Sequence, residues 1–267
     1  MRPSQDVISF LERFAPLPLA EGWDNVGLLL GDRSREVSRL MTCLTLTEDV
    51  AAEAVSEQVE MVVCHHPILF RGVKRLTSES AEGRLVLQLA RAGVLVYSPH
   101  TAFDSARDGV NAQIASSLNL RDVKPLRPAT LEPDGSVGGG RYGTLEEPVP
   151  LGRLVATAQG LLRAPGAQVA GDLDRPVSRV AIACGSAAEF LPDAVRAGCD
   201  VLLTGEGRFH TCLEARDGSC ALVFLGHYPT ERPAVEQLAR ILGETFPDLT
   251  CWASRVERDP VLWVGSW

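Results

Sequence analysis

The sequence predicts an α/β fold of two pseudo-repeated lobes with mainly parallel sheets. Short apolar runs rich in β-branched residues alternate with stretches of helical periodicity, the pattern of βαβ units. Two segments, VSRLMTCL from Val37 and VSRVAIAC from Val177, open similar series of elements. A chain of 267 residues that is 45% hydrophobic can bury a core of this size, which excludes disorder as the main state.

In chain order, the expected strands are 40–46, 61–64, 94–97, 180–184, 201–204 and 221–225. Helix-like segments are expected at 48–58, 82–92, 108–118, 187–197 and 231–242. In the last, Ala234, Val235, Leu238, Ala239, Ile241 and Leu242 share one face at three- and four-residue spacing. The stretch 121–176 breaks the alternation: it is dense in Gly and Pro and reads as a turn-rich connection, then an amphipathic helix at 151–162. The expected layout is therefore an N-terminal lobe (1–125), a connection with its helix (126–176) and a C-terminal lobe (177–267), together one compact domain.

The lobes match beyond their first tripeptide. His65 and Gly205 each lie 28 residues after the start of their half, just past an apolar strand. VYSPHTAFD (96–104) and VFLGHYPTE (223–231) share a strand end, a His and an acid four residues later. An ordered series of this kind reads as a pseudo-repeat.

The five histidines are His65, His66, His100, His210 and His227, and each follows the carboxyl end of an expected strand. Ligands collect at those ends in open α/β sheets, because the loops there converge on one crevice. Imidazoles grouped with carboxylates point to divalent metal binding. Pro67 keeps His66 extended or turned, so adjacent rings splay and serve two ions more easily than one. Asp104 and Glu231 offer carboxylate oxygens, and a Glu can bridge two ions. Taken singly, Asp104 reads as a helix cap and Glu231 as a first-turn acid. His100 and His210, the candidate catalytic pair, could orient a ligand, transfer a proton or hold a loop.

Other stretches read more plainly. WDNVGLLLGD (23–32) is a loop entering a strand, with Asn25 and Gly27 making the turn. TGEGRFH (204–210) has too few glycines for a phosphate loop. None of the seven cysteines forms a C-x-x-C pair; Cys64, inside an apolar strand, is expected to be inert packing in a reducing compartment. The net charge of −8 argues against nucleic-acid and anionic-membrane partners. No signal peptide and no apolar run of membrane-spanning length is evident, so a cytoplasmic location is expected.

WDNVGLLLGD, CHHPILF, SPHTAFDSARDGVN, TGEGRFH and GHYPTE, in this order, resemble the NIF-three-like family, also labelled GTP cyclohydrolase type 2 homologues or dinuclear metal centre hexameric proteins. The resemblance implies two related α/β lobes, a toroidal homohexamer and two divalent ions per subunit. It implies His65, His66, Asp104, His227 and Glu231 as ligands, with Glu231 bridging. Zinc, iron, manganese, cobalt and nickel all suit such a donor set. Glu206 stands where many members have Asp, and Thr45 where some have Asp. The stretch 121–176 is too short for the extra domain that some members insert. The function implied is a two-metal hydrolase acting on a nucleotide, phosphoester or amide; the alternative is a non-catalytic metal-binding protein or ring-shaped scaffold.

Overall fold

The computed structural model describes residues 1–132 and 135–264. Pro133 and Asp134, in the Gly/Pro-rich stretch, lie outside the described residues. The described residues divide into two compact units: residues 1–103 with 234–258, and the described residues of 104–233 with 259–264.

The first unit carries α1 (Ser4–Phe14), β1 (Gly27–Leu30), β2 (Arg39–Cys43), α2 (Glu48–Ser56), β3 (Met61–Cys64), α3 (Ala81–Ala92) and β4 (Leu95–Ser98). Strands β2, β3 and β4 are consecutive and parallel, as the alternating pattern predicts. Strand β1 closes one edge antiparallel to β4, and Thr250–Ala253 closes the other parallel to β2. Both crossover helices begin on a hydroxyl cap, Thr47 accepting from Val50 N–H and Ser80 from Gly83 N–H. Gly93, at φ 71°, ends α3 in the left-handed conformation that glycine adopts without strain. Val50, Ala54, Leu85 and Leu89 pack on one sheet face against Met41, Val62 and Val96.

Helix α4 (His100–Ser105) follows β4. The second unit then carries α5 (Val110–Ser117), β5 (Arg121–Lys124), β6 (Arg141–Pro150), α6 (Leu151–Leu162), β7 (Gln168–Ala170), β8 (Pro176–Ala183), α7 (Leu191–Arg196), β9 (Val201–Thr204), α8 (Phe209–Asp217) and β10 (Ala221–Phe224). Its six-stranded sheet runs β7-β10-β9-β8-β6-β5. Strands β8, β9 and β10 are again consecutive and parallel, while the outer strands are antiparallel. Helix α9 (His227–Thr245) follows β10.

Helix α6 occupies the interval expected of it, but the sequence before it is not merely a connection. Arg141–Pro150 is a ten-residue strand paired with β8, with a register shift between Thr144 and Val149. Its Gly, two prolines and two glutamates disguise it as a turn; the shifted register admits them.

The repeat is visible in hydrogen bonds. In the first unit, Glu60 Oε2 accepts from the backbone N–H groups of Ser38 and Arg39, at 2.6 and 2.8 Å. In the second, Asp200 Oδ2 accepts from Ser178 and Arg179 N–H, both at 2.8 Å. Each acid precedes the second parallel strand of its unit and ties it to the start of the first.

Candidate metal centre

In the first unit, β3 ends directly in His65 and His66, whose N–H groups continue the sheet ladder to Cys43 and Leu44 carbonyls at 2.9 and 2.8 Å. The backbone at this pair is thus fixed by sheet pairing. His65 is 2% exposed, and Ser98 Oγ donates to its carbonyl at 2.7 Å. His100 enters beside them from the end of β4. The ring centroids of His65 lie 5.2 Å from His66 and 5.3 Å from His100, and those of His66 and His100 lie 5.7 Å apart. One ligand nitrogen from each of the three falls within 4.8 Å of the others, close enough to converge on an ion.

Two of these rings are tethered through Nδ1. Thr45 Oγ1 and His66 Nδ1 share a hydrogen bond of 2.8 Å, and Asp24 Oδ1 accepts from His100 Nδ1 at 2.7 Å. The Asp24 side chain is fully buried and also accepts from the N–H and hydroxyl of Thr101. Burial alone would raise its pKa, but bonds from His100, Thr101 and Asn25 overcome this and hold it at about 2. His100 has φ 24°, unusual for a residue with a Cβ, and the Asp24 network secures it there. Thr45 is itself placed by Glu257, whose carboxylate accepts from Leu44 N–H at 3.0 Å and Thr45 N–H at 2.6 Å.

The second unit holds a matching tether. Glu206 Oε1 accepts from His227 Nδ1 at 3.0 Å, while His227 Nε2 lies 3.1 Å from Glu231 Oε2, one helical turn on in α9. Burial alone would lower the His227 pKa; hydrogen bonds to Glu231 and Glu206 outweigh it and raise the pKa to about 9. Glu231 is 4% exposed. Gly185, at φ 66°, passes beneath this pair, and a Cβ there would overlap Glu231 Oε1 and come within 3.3 Å of His227 Nε2. Glycine at 185 therefore leaves room that a side chain would fill.

Asp104 lies in the second unit with its Oδ1 3.2 Å from Cys184 Sγ, and its backbone carbonyl accepts from Asn111 Nδ2 at 3.1 Å. The Asn111 Oδ1 accepts from Cys184 N–H at 2.8 Å, so one side chain links α4 to the end of β8. Arg141, 2% exposed, donates to the carbonyls of Ser105, Ala106, Gly138 and Gly140 and holds the chain just after Asp104. Its burial lowers its pKa to about 10.

His210 sits on α8, exposed and against Phe209, and joins no three-residue ligand group among the described residues. Cys64 is buried, donates to Tyr97 O at 3.7 Å and has its thiol pushed up to about 12 by that burial, which fits inert packing. The residues that sequence reasoning passed over are the tethers. Asp24 lies in a segment whose composition reads as a loop entering a strand, and Thr45 and Glu206 stand where family members have Asp. A signal existed: Thr45 and Glu206 each precede their histidine by 21 residues, the length of one βαβ crossover.

The donor set fits divalent ions. Imidazole ligands are commonly oriented by a hydrogen bond at the second ring nitrogen, and three of the five histidines carry such a bond at Nδ1.

Comparison with known proteins agrees in fold and sequence. A Streptomyces coelicolor protein named "GTP cyclohydrolase 1 type 2 homolog" is 34% identical over 262 residues, covering 96% of this chain and 92% of the relative. A Schizosaccharomyces pombe protein named "Protein NIF3 homolog" is 35% identical over 259 residues, covering 91% of both. A crystal structure of a Bacillus cereus protein related to NIF3 has the same fold, with a TM-score of 0.88, 20% identity, and coverage of 98% of this chain and 99% of that one. Near-complete coverage on both sides shows that no extra domain is inserted here. Residues 3–260 match the family described as Duf34/NIF3 (NGG1p interacting factor 3), and the chain belongs to that family.

Proposed function

We propose that the chain is a hydrolase dependent on two divalent ions, with His65, His66, Asp104, His227 and Glu231 as ligands. The observation that carries this reading is the shared tether: His66, His100 and His227 are each bonded at Nδ1 to a side-chain oxygen. Metal ligands and proton carriers are commonly oriented by such a bond at the second ring nitrogen.

When bound, two such ions lower the pKa of a bound water toward neutrality and polarise the bond under attack. The residues supply the rest. Glu231 has two oxygens, one against His227 Nε2 and the other above Gly185, so it can serve two neighbours at once. Asp24 accepts from His100 Nδ1 and so fixes the orientation of a ring whose chemistry suits moving a proton to a leaving group. The name borne by the Streptomyces relative places nucleotides beside phosphoesters and amides among substrates to screen.

The test is metal content per chain after loading with excess divalent ion, then activity screening with and without chelator. Two ions per chain and chelator-sensitive turnover are expected; fewer than one ion per chain overturns the reading. Glu231→Gln and His227→Ala should each reduce a discovered activity by roughly a hundredfold or more. Retained activity in both variants would place the chemistry elsewhere.

A further inference from the structure

We propose that Trp23 and Phe70 form a binding face for a planar heteroaromatic ring carrying an anionic group, set beside the His65–His66–His100 cluster. What becomes of that ligand rests on the hydrolase reading; its binding does not.

Trp23 is 61% exposed and Phe70 44% exposed, and their ring centroids lie 5.9 Å apart. Both flank His100, at 6.2 and 6.4 Å, and each stands nearly perpendicular to it. Large aromatic side chains are normally buried, and an exposed pair next to a group of ligating imidazoles marks a recognition surface.

The chain on either side of these rings is held in position. Asp24, next to Trp23, is buried under His100 and Thr101. Asn25 Nδ2 donates to the carbonyl of Leu69, next to Phe70, at 2.9 Å, and Leu69 N–H donates to Glu82 Oε1 at 3.0 Å. The two aromatic positions are thus coupled through one side-chain bond and tied to His100 through another. Such preorganisation lowers the ordering cost of stacking a rigid ring.

Charge selects the rest of the ligand. Residues 71–80, which follow Phe70, are all exposed and carry Arg71, Lys74 and Arg75 against one acid, Glu79, in a chain of net charge −8. Three cations against Glu79 and Glu82 in the exposed segment that directly follows Phe70 fit a ring joined to a phosphate or carboxylate.

The experiment is calorimetric titration of the full-length, metal-loaded protein with AMP, ribose 5-phosphate and adenosine. AMP should bind roughly tenfold or more tighter than ribose 5-phosphate, the increment expected of one stacked base. Trp23→Ala and Phe70→Ala should each weaken AMP roughly five- to hundredfold and leave ribose 5-phosphate unchanged. Trp23→Phe, which keeps an aromatic face, should retain most of the affinity. Replacing Arg71, Lys74 and Arg75 together with Ala should bring AMP down to the level of adenosine.

Equal affinity for AMP and ribose 5-phosphate overturns the proposal, as does unchanged AMP binding in Trp23→Ala. A changed molar mass of either aromatic variant by light scattering, with AMP affinity intact, assigns the pair to a protein contact instead. Metal content measured on the same samples separates the two readings. Ring-selective binding without metal leaves this inference standing and removes the hydrolase, whereas two ions without ring selectivity do the reverse.

Discussion

Three histidines share one device, a tether at Nδ1, but the tethering groups differ. Asp24 and Glu206 are carboxylates, whereas Thr45 offers only a neutral hydroxyl. Thr45→Val removes that bond from His66 and is expected to weaken metal binding about 10- to 100-fold, read by competition with a chromophoric chelator. Gly185→Ala combines a strained φ of 66° with an overlap at Glu231, so it should lose metal while keeping its circular dichroism spectrum. The proton on His227 sets a pH dependence. In the metal-free chain its pKa of about 9 lies above the ordinary 6.5, so its contribution to stability is complete below pH 6.5 and is lost as pH rises through 9. An ion must displace that proton, so metal affinity should climb between pH 7 and 9 with measurable proton release. Asp24 acts at the other end: with a pKa of about 2 against an ordinary 3.8, its contribution is present above 3.8 and lost as pH falls through 2. Thermal unfolding of chelator-treated protein across pH 2–10 checks both signs.

The parallel strands and their crossover helices were legible because each is short, apolar and bounded by polar turns. The interval of α6 was legible from its amphipathic spacing. What escaped was whatever long-range pairing decides. Arg141–Pro150 has a poor strand composition and becomes a strand only because β8 and β5 lie on either side of it. Thr250–Ala253 is four residues long and pairs with Arg39–Cys43, more than 200 positions earlier, at a distance no local pattern encodes. The candidate site divides in the same way: histidines at strand ends could be read locally, while Asp24 meets its histidine across 76 residues. The paired acids give an element-scale prediction. Glu60→Ala and Asp200→Ala each strip a carboxylate from two backbone N–H groups, and each should destabilise its unit by about 1–3 kcal/mol in denaturant titration. Arg141→Met leaves four buried carbonyls without that donor and should cost more, about 3 kcal/mol or above.

For the molecule as a whole, no helix among the described residues is long and apolar enough to cross a membrane. We propose that the chain assembles as the homohexamer the family resemblance implies, with six chain masses expected by light scattering and a single chain mass counting against it. The paired acids also bear on the repeat. Glu60 and Asp200 differ by a methylene yet grip equivalent amides, a match between the halves that extends the sequence repeat to three dimensions. At the matching strand ends the copies have parted: His65 and His66 face Gly205 and Glu206 in the alignment of halves, and Thr45 faces Gly185. The first strand end thus carries ring nitrogens where the second leaves room for the Glu231 carboxylate, a difference that transplanting either strand end into its sibling would erase.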